Sequence, residues 1–263
     1  MAIHPSAVIN ETAKIHKNAE ICAYAIIGAN VEIGSGTIVE SHAVIQGPTK
    51  IGKNNHIYSF ASIGGDPQDI TYEVGQESNL IIGDDNLIRE FCTINRGTEK
   101  QESITRVGSK NMLMAYVHIA HDCHIGDHII MSNNASLAGH VRIQDWAILG
   151  GFTLVKQYCM IGMHTYVGMG CQVNKDIPSY MLASGVQTRV RSINAEGMRR
   201  RGFTPNAIAA IKRAFKVVYR GSSLLDQSLK ELEETESDHI EVMQFVECIR
   251  SSDAGIMRGP NEE

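Results

Sequence analysis

An aliphatic side chain stands at every sixth position from Ile9 through Ile15, Ile21, Ile27, Ile33, Val39, Ile45, Ile51 and Ile57 to Ile63. A mostly small residue lies two positions before each, as at Ala7, Ala13, Ala19, Ala25 and Ala43. The period pauses, returns at Ile82, Ile88 and Ile94, pauses again, and then runs unbroken from Val107 to Val173. An apolar stripe that repeats at six cannot belong to an α-helix, whose stripe repeats at 3.6, and six residues are too few for any repeat that contains a helix. They suffice for one short strand and one corner. Three such units close a triangular coil of eighteen residues, and stacked coils satisfy each other's backbone hydrogen bonds. The β-branched Ile and Val at the inward position favour the pleated strand. The predicted architecture is therefore a parallel β-helix.

Past residue 190 the period is gone. Thr204 followed by Pro205 predicts a helix start, with Thr as N-cap and Pro in the first turn. Ile208, Ile211, Phe215, Val218 and Tyr219 follow at helical spacing, and further helices are predicted over 222–235 and 238–251. The chain thus reads as mainly β, with a β-helix over 1–190 and a small helical domain over 191–263.

Composition narrows the function classes. Aromatic residues make up only 6% of the 263 residues, so the core must be aliphatic. No run of eighteen apolar residues and no basic-plus-apolar leader appears, and a cytoplasmic protein without membrane insertion is expected. The six cysteines form no CxxC pair, and Cys92, Cys123, Cys159 and Cys171 occupy the small-residue slot, where they read as core filler. Between Arg189 and Arg220 nine Lys or Arg residues meet a single acid, Glu196. That local field suits an anionic partner although the net charge is -5.

Residues 117–128 read VHIAHDCHIGDH and hold His118, His121, His124 and His128. With Ile119 and Ile125 inward, His118 and His124 point outward on successive faces, so the four imidazoles diverge and cannot share one zinc ion within a chain. His121 falls at a corner. One coil of eighteen residues further on, Gly139 lies beside His121 and His140 beside Asp122. A base, a carboxylate, a second imidazole and a glycine N–H then gather within one coil spacing, roughly 5 Å. Those are the parts of an acyl-transfer site.

The runs SIGGDPQD at 62–69, HIAHDC at 118–123, AGH at 138–140 and NAEGMRRRGF at 194–203 make the chain resemble the UDP-N-acetylglucosamine O-acyltransferases, hexapeptide-repeat enzymes that open lipid A biosynthesis. The resemblance implies a left-handed coil, a homotrimer with active sites between subunits, and no cofactor or bound metal. It also implies transfer of a 3-hydroxyacyl group from acyl carrier protein to the 3-hydroxyl of UDP-GlcNAc, with no covalent intermediate and no nucleic-acid partner. On this basis His121 is the general base, Asp122 its partner and Gly139 the oxyanion donor. His118 and His140 line the sugar and acyl site, and Gln68, Asp69, Lys156 and Gln157 are further substrate positions. Asn194, Glu196, Arg200 and Arg201 lie near the nucleotide. Met169 occupies the acyl-length position, often Gly in the family, and implies a donor of about ten carbons. Thr71 and Lys156 replace the family's usual Lys and His, which leaves the 3-amino analogue of UDP-GlcNAc as an alternative acceptor. A metalloenzyme resembling the hexapeptide-repeat γ-carbonic anhydrases is the alternative from another reaction class.

Overall fold

The computed structural model describes residues 2–259. The six-residue period folds as strands of mostly two or three residues, each ending on the inward aliphatic, as in Val8–Ile9, His118–Ile119 and Gln172–Val173. Along the coil each strand of the repeat pairs in parallel with its equivalents in the neighbouring coils, so that Ile119 lies beside Leu137 and Leu137 beside Val155. The result is a left-handed parallel β-helix with three sheets, here called I, II and III, of eleven, nine and eight strands. Each inward residue from Ile21 to Val173 is nearly or wholly shielded from water, and full burial of one such side chain contributes about 1.5–3 kcal/mol. The four cysteines predicted as filler are buried in this core. Burial raises the thiols of Cys92 and Cys159 to about 11 and that of Cys123 to about 12, so all three stay protonated.

Where the small-residue slot holds Asn, the cost of burying an amide is met by a ladder. Asn86 donates from Nδ2 to Asn55 Oδ1 at 2.9 Å, and the Asn111 backbone N–H donates to Asn86 Oδ1 at 2.9 Å.

The two pauses in the period are excursions from one edge. Ile63 pairs with Ile94, and Ile94 with Ile119, while residues 66–78 and 96–103 leave the coil between sheets II and III. Buried Arg96 ties the first excursion to the second, donating to the Gly64 carbonyl, the Asp66 carboxylate and Ser78 Oγ.

Sheet I ends in a hairpin of Met181–Ser184 with Arg189–Ile193. Four helices follow: α1 (Ala195–Arg200), α2 (Pro205–Arg220), α3 (Leu225–Thr235) and α4 (Ile240–Arg250). The predicted cap holds, since Thr204 accepts from the Ala207 N–H and Pro205 opens α2. Helix α1 has no counterpart in the helical spacing read from the sequence. Its six residues are too short to show a period, and its signal is the Asn194 side chain, which caps the Gly197 N–H.

Candidate active site

The edge between sheets II and III, where both excursions leave, also carries His121, Asp122, Gly139, His140 and Tyr158 at successive corners. Asp122, His140 and Tyr158 adopt φ of 59°, 64° and 65°, a left-handed conformation that His and Asp tolerate better than most side chains. The eighteen-residue register puts Gly139 under the His121 ring: a Cβ there would lie 2.6 Å from the ring. Gly139 is therefore what allows the imidazole to lie against the backbone. Its carbonyl accepts from the Tyr158 N–H.

His121 Nδ1 is 2.8 Å from Asp122 Oδ2. Asp122 is buried, which alone would raise its carboxyl, but hydrogen bonds from His121 and Thr98 outweigh burial and hold it below the usual carboxylate range. An ionised carboxylate can only accept, so His121 Nδ1 carries a proton, and in the neutral imidazole Nε2 is left as the lone-pair nitrogen. His140 Nε2 lies 3.8 Å from the same Asp122 oxygen, and its ring stacks on Tyr158 with centroids 4.4 Å apart. Burial lowers the pKa of His140 and of His118, and His118 Nδ1 is bonded to Thr93 Oγ1 at 2.7 Å.

Three residues of this edge stand outside the periodic reading, all from the second excursion. Thr98 donates twice to Asp122, Gln101 Oε1 is 2.8 Å from His140 Nδ1, and Lys100 Nζ is 2.5 Å from Asp69 Oδ2. The Lys100 contact, with hydrogen bonds from Thr71, holds Asp69 well below the carboxylate range. Lys100 thus places an ammonium on the carboxylate beside Thr71. Gln68, Lys156 and Gln157 are exposed at the same edge. A cavity of about 350 Å³ is lined here by Gln101, Asp122, His124, His140, Arg142 and Tyr158. Ligand atoms of His121, Asp122 and His140 lie within 4.8 Å of one another, a group that could accept a metal ion.

A sequence of this pattern on this coil has clear relatives. Residues 12–47 match the model of the bacterial transferase hexapeptide, and 176–257 match domain 2 of UDP N-acetylglucosamine O-acyltransferase. An acyl-[acyl-carrier-protein]--UDP-N-acetylglucosamine O-acyltransferase of Saccharophagus degradans is 48% identical over 97% of this chain and 99% of its own. The chain belongs to the UDP-N-acetylglucosamine O-acyltransferase family. Solved structures agree. The Francisella novicida UDP-N-acetylglucosamine acyltransferase superposes with a TM-score of 0.97 at 43% identity, covering 98% of this chain and 95% of its own. The Moraxella catarrhalis enzyme gives 0.95 at 42%, over 98% and 100%. Like them, this family member is an O-acyltransferase.

The remaining positions assigned to this acyltransferase from resemblance lie on other edges of the prism. Asn194 donates to the His164 carbonyl and Arg201 to the Trp146 carbonyl, with the guanidinium 5.2 Å from the Trp146 ring centroid. His128, Trp146, His164 and Tyr180 form a stacked column at the corner between sheets III and I. Glu196 pairs with Arg199 and Arg200 on the exposed face of α1. Met169, 78% exposed, sits at the third corner, between sheets I and II. Within one chain the structure brings together His121, Asp122, Gly139 and His140, and does not bring Arg201 or Met169 to them.

Burial and the charge of Arg201 lower His164 to about 4. Its ordinary value is 6.5, so between these pH values the unfolded chain binds a proton that the folded chain refuses. The stability contributed is complete above pH 6.5 and is lost as pH falls toward 4. Because the ring is partly exposed, we expect only about 1 kcal/mol to be gone at pH 5. Urea unfolding of the wild type and of His164→Asn at pH 7 and pH 5 checks this. Their stability difference should shift between the two pH values, and an unchanged difference would remove His164 as the cause.

Proposed function

We propose that this protein transfers a 3-hydroxyacyl group from acyl carrier protein to the 3-hydroxyl of UDP-GlcNAc in the cytoplasm, opening lipid A biosynthesis. The observation that carries the reading is the His121–Asp122 pair stacked on Gly139. His121 Nε2 takes the proton of the acceptor hydroxyl as that oxygen attacks the thioester carbonyl carbon. The tetrahedral oxyanion accepts a hydrogen bond from the Gly139 N–H, a donor used by no hydrogen bond among the described residues. Collapse breaks the C–S bond, and the proton on Nε2 passes to the leaving thiolate. Every step uses groups already aligned at one corner, so no acyl-enzyme is needed. Cys123, the nearest thiol in sequence, is buried and protonated.

The acyltransfer domain is assigned to 1–190 and the helical domain to 191–263, a boundary that falls within the strand Arg189–Ile193. The site is completed by a neighbouring copy in a homotrimer. Support comes from the separation of Arg201 and Met169 from His121 in one chain, and from an exposed, stacked column of Tyr24, His42, Phe60, Phe91 and Tyr116 beside sheet II. Solvated aromatic surface of this extent marks an interaction face. Gln68, Asp69, Lys156 and Gln157 then contact the sugar, and Asn194, Glu196, Arg200 and Arg201 the nucleotide, where guanidinium suits a diphosphate. Exposed Lys212 and Lys216 of α2 suit the acidic carrier protein, whereas Arg213 is engaged with Glu236.

The metal-competent group of His121, Asp122 and His140 favours one rival, and the Thr71 and Lys156 replacements another. One assay addresses both. With 3-hydroxyacyl carrier protein, the EDTA-dialysed enzyme should acylate UDP-GlcNAc at the undialysed rate and prefer it to the 3-amino analogue. Loss of activity restored by zinc would favour the metal reading, and preference for the amine would reassign the acceptor.

A further inference from the structure

We infer that the second excursion, 96–103, is the positioning element of the catalytic corner, and that Thr98 and Gln101 are positioning residues for the transfer. The inference rests on the acyl-transfer reading above. His121 and Asp122 are sequence neighbours, and their alignment is not dictated by the coil: the inward periodicity fixes Ile119 and Cys123 but leaves both corner side chains free to turn. Asp122 is held instead from outside the period. Thr98 N–H donates to Oδ1 at 2.8 Å and Thr98 Oγ1 to Oδ2 at 2.7 Å, both buried. From the other side, the Thr105 hydroxyl accepts from the Asp122 backbone N–H at 2.8 Å. With both carboxylate oxygens engaged, Oδ2 can meet His121 Nδ1 in one orientation only.

The neighbouring imidazole is treated alike. Gln101 bonds His140 Nδ1, which together with stacking on Tyr158 fixes the plane of the ring and directs Nε2 toward Asp122. Lys100 joins the same excursion to Asp69, and Arg96 pins its base to the first excursion. One short segment therefore reaches Asp122, His140 and Asp69 in turn. Second contacts of this kind decide how precisely a base is aimed.

The test is Thr98→Val, which keeps the shape of the side chain and deletes the hydroxyl donor. Asp122 then loses a hydrogen bond that favours its ionised form while it stays buried, so its carboxyl should rise. The expected result is a kcat roughly tenfold lower with both KM values little changed. The acid limb of the kcat–pH profile should move to higher pH, and Thr98→Ser should restore both. A merely structural threonine would lower thermal stability without moving the pH limb. Gln101→Ala, at an exposed position, serves if Thr98→Val does not fold, and should lower kcat severalfold with unchanged melting. Wild-type turnover and pH profile in the folded variants would overturn the inference. His121→Ala separates this from failure of the parent reading: an active His121→Ala enzyme sinks the base assignment itself, whereas an inactive one beside a fully active Thr98→Val sinks only the positioning role.

Discussion

Replacing Met169 by glycine should shift the preferred donor from about ten carbons to fourteen. His121 and Met169 are 48 positions apart in the chain, which is roughly 2.7 coils and about 13 Å along the axis at ~4.8 Å per coil. An extended acyl chain advances about 1.25 Å per carbon, so roughly ten carbons span the distance. Met169 projects from the corner between sheets I and II, at the far side of sheet II from His121, so in the proposed homotrimer the acyl chain runs against the neighbouring copy to meet it. Four excluded methylenes at about 0.8 kcal/mol each amount to about 3 kcal/mol, or a preference on the order of a hundredfold for 3-hydroxydecanoyl over 3-hydroxymyristoyl. Initial rates with donors of ten, twelve and fourteen carbons, in wild type and Met169→Gly, decide it. A wild type that already prefers the longest donor, or a glycine variant with the same ranking, would exclude Met169 as the ruler.

How far the sequence could be read depended on whether a residue kept the six-residue count. Ile9 to Ile63 and Val107 to Val173 kept it, so the coil, its three faces and its core could be written down residue by residue. His121, Asp122, Gly139 and His140 fell within the second run, and counting by eighteen put them together, as the pairing of Ile119 with Leu137 requires. Thr98, Lys100 and Gln101 lie in an excursion. There the count is broken and no register relates them to Asp122, Asp69 or His140, although the excursions could have been assigned to the His121 corner by noting which strands they interrupt. The helical region was legible where a cap and a long apolar spacing coincided, as at Thr204 and α2. It was not legible where the contact is between elements, as in the Arg213–Glu236 pair of α2 with the end of α3. The separation of Arg201 from His121 shows the same boundary at a larger scale: similarity assigns residues to one site, while the fold of one chain disperses them over different edges of a prism. The proposed site, completed by a second chain, satisfies both.

In the proposed mechanism His121 Nε2 accepts the proton from the sugar hydroxyl. The Nδ1 side is taken by Asp122, the ring rests on Gly139, and Asp122 keeps its Thr98 donors when the imidazole is removed. His121→Ala should therefore fold and assemble as the wild type does, with melting temperature and size unchanged. The deciding measurement is its kcat with saturating 3-hydroxyacyl carrier protein and UDP-GlcNAc. Loss of a positioned base predicts a fall on the order of a hundredfold or more, with little change in either KM. Turnover near the wild-type value in a correctly folded His121→Ala enzyme would contradict the account.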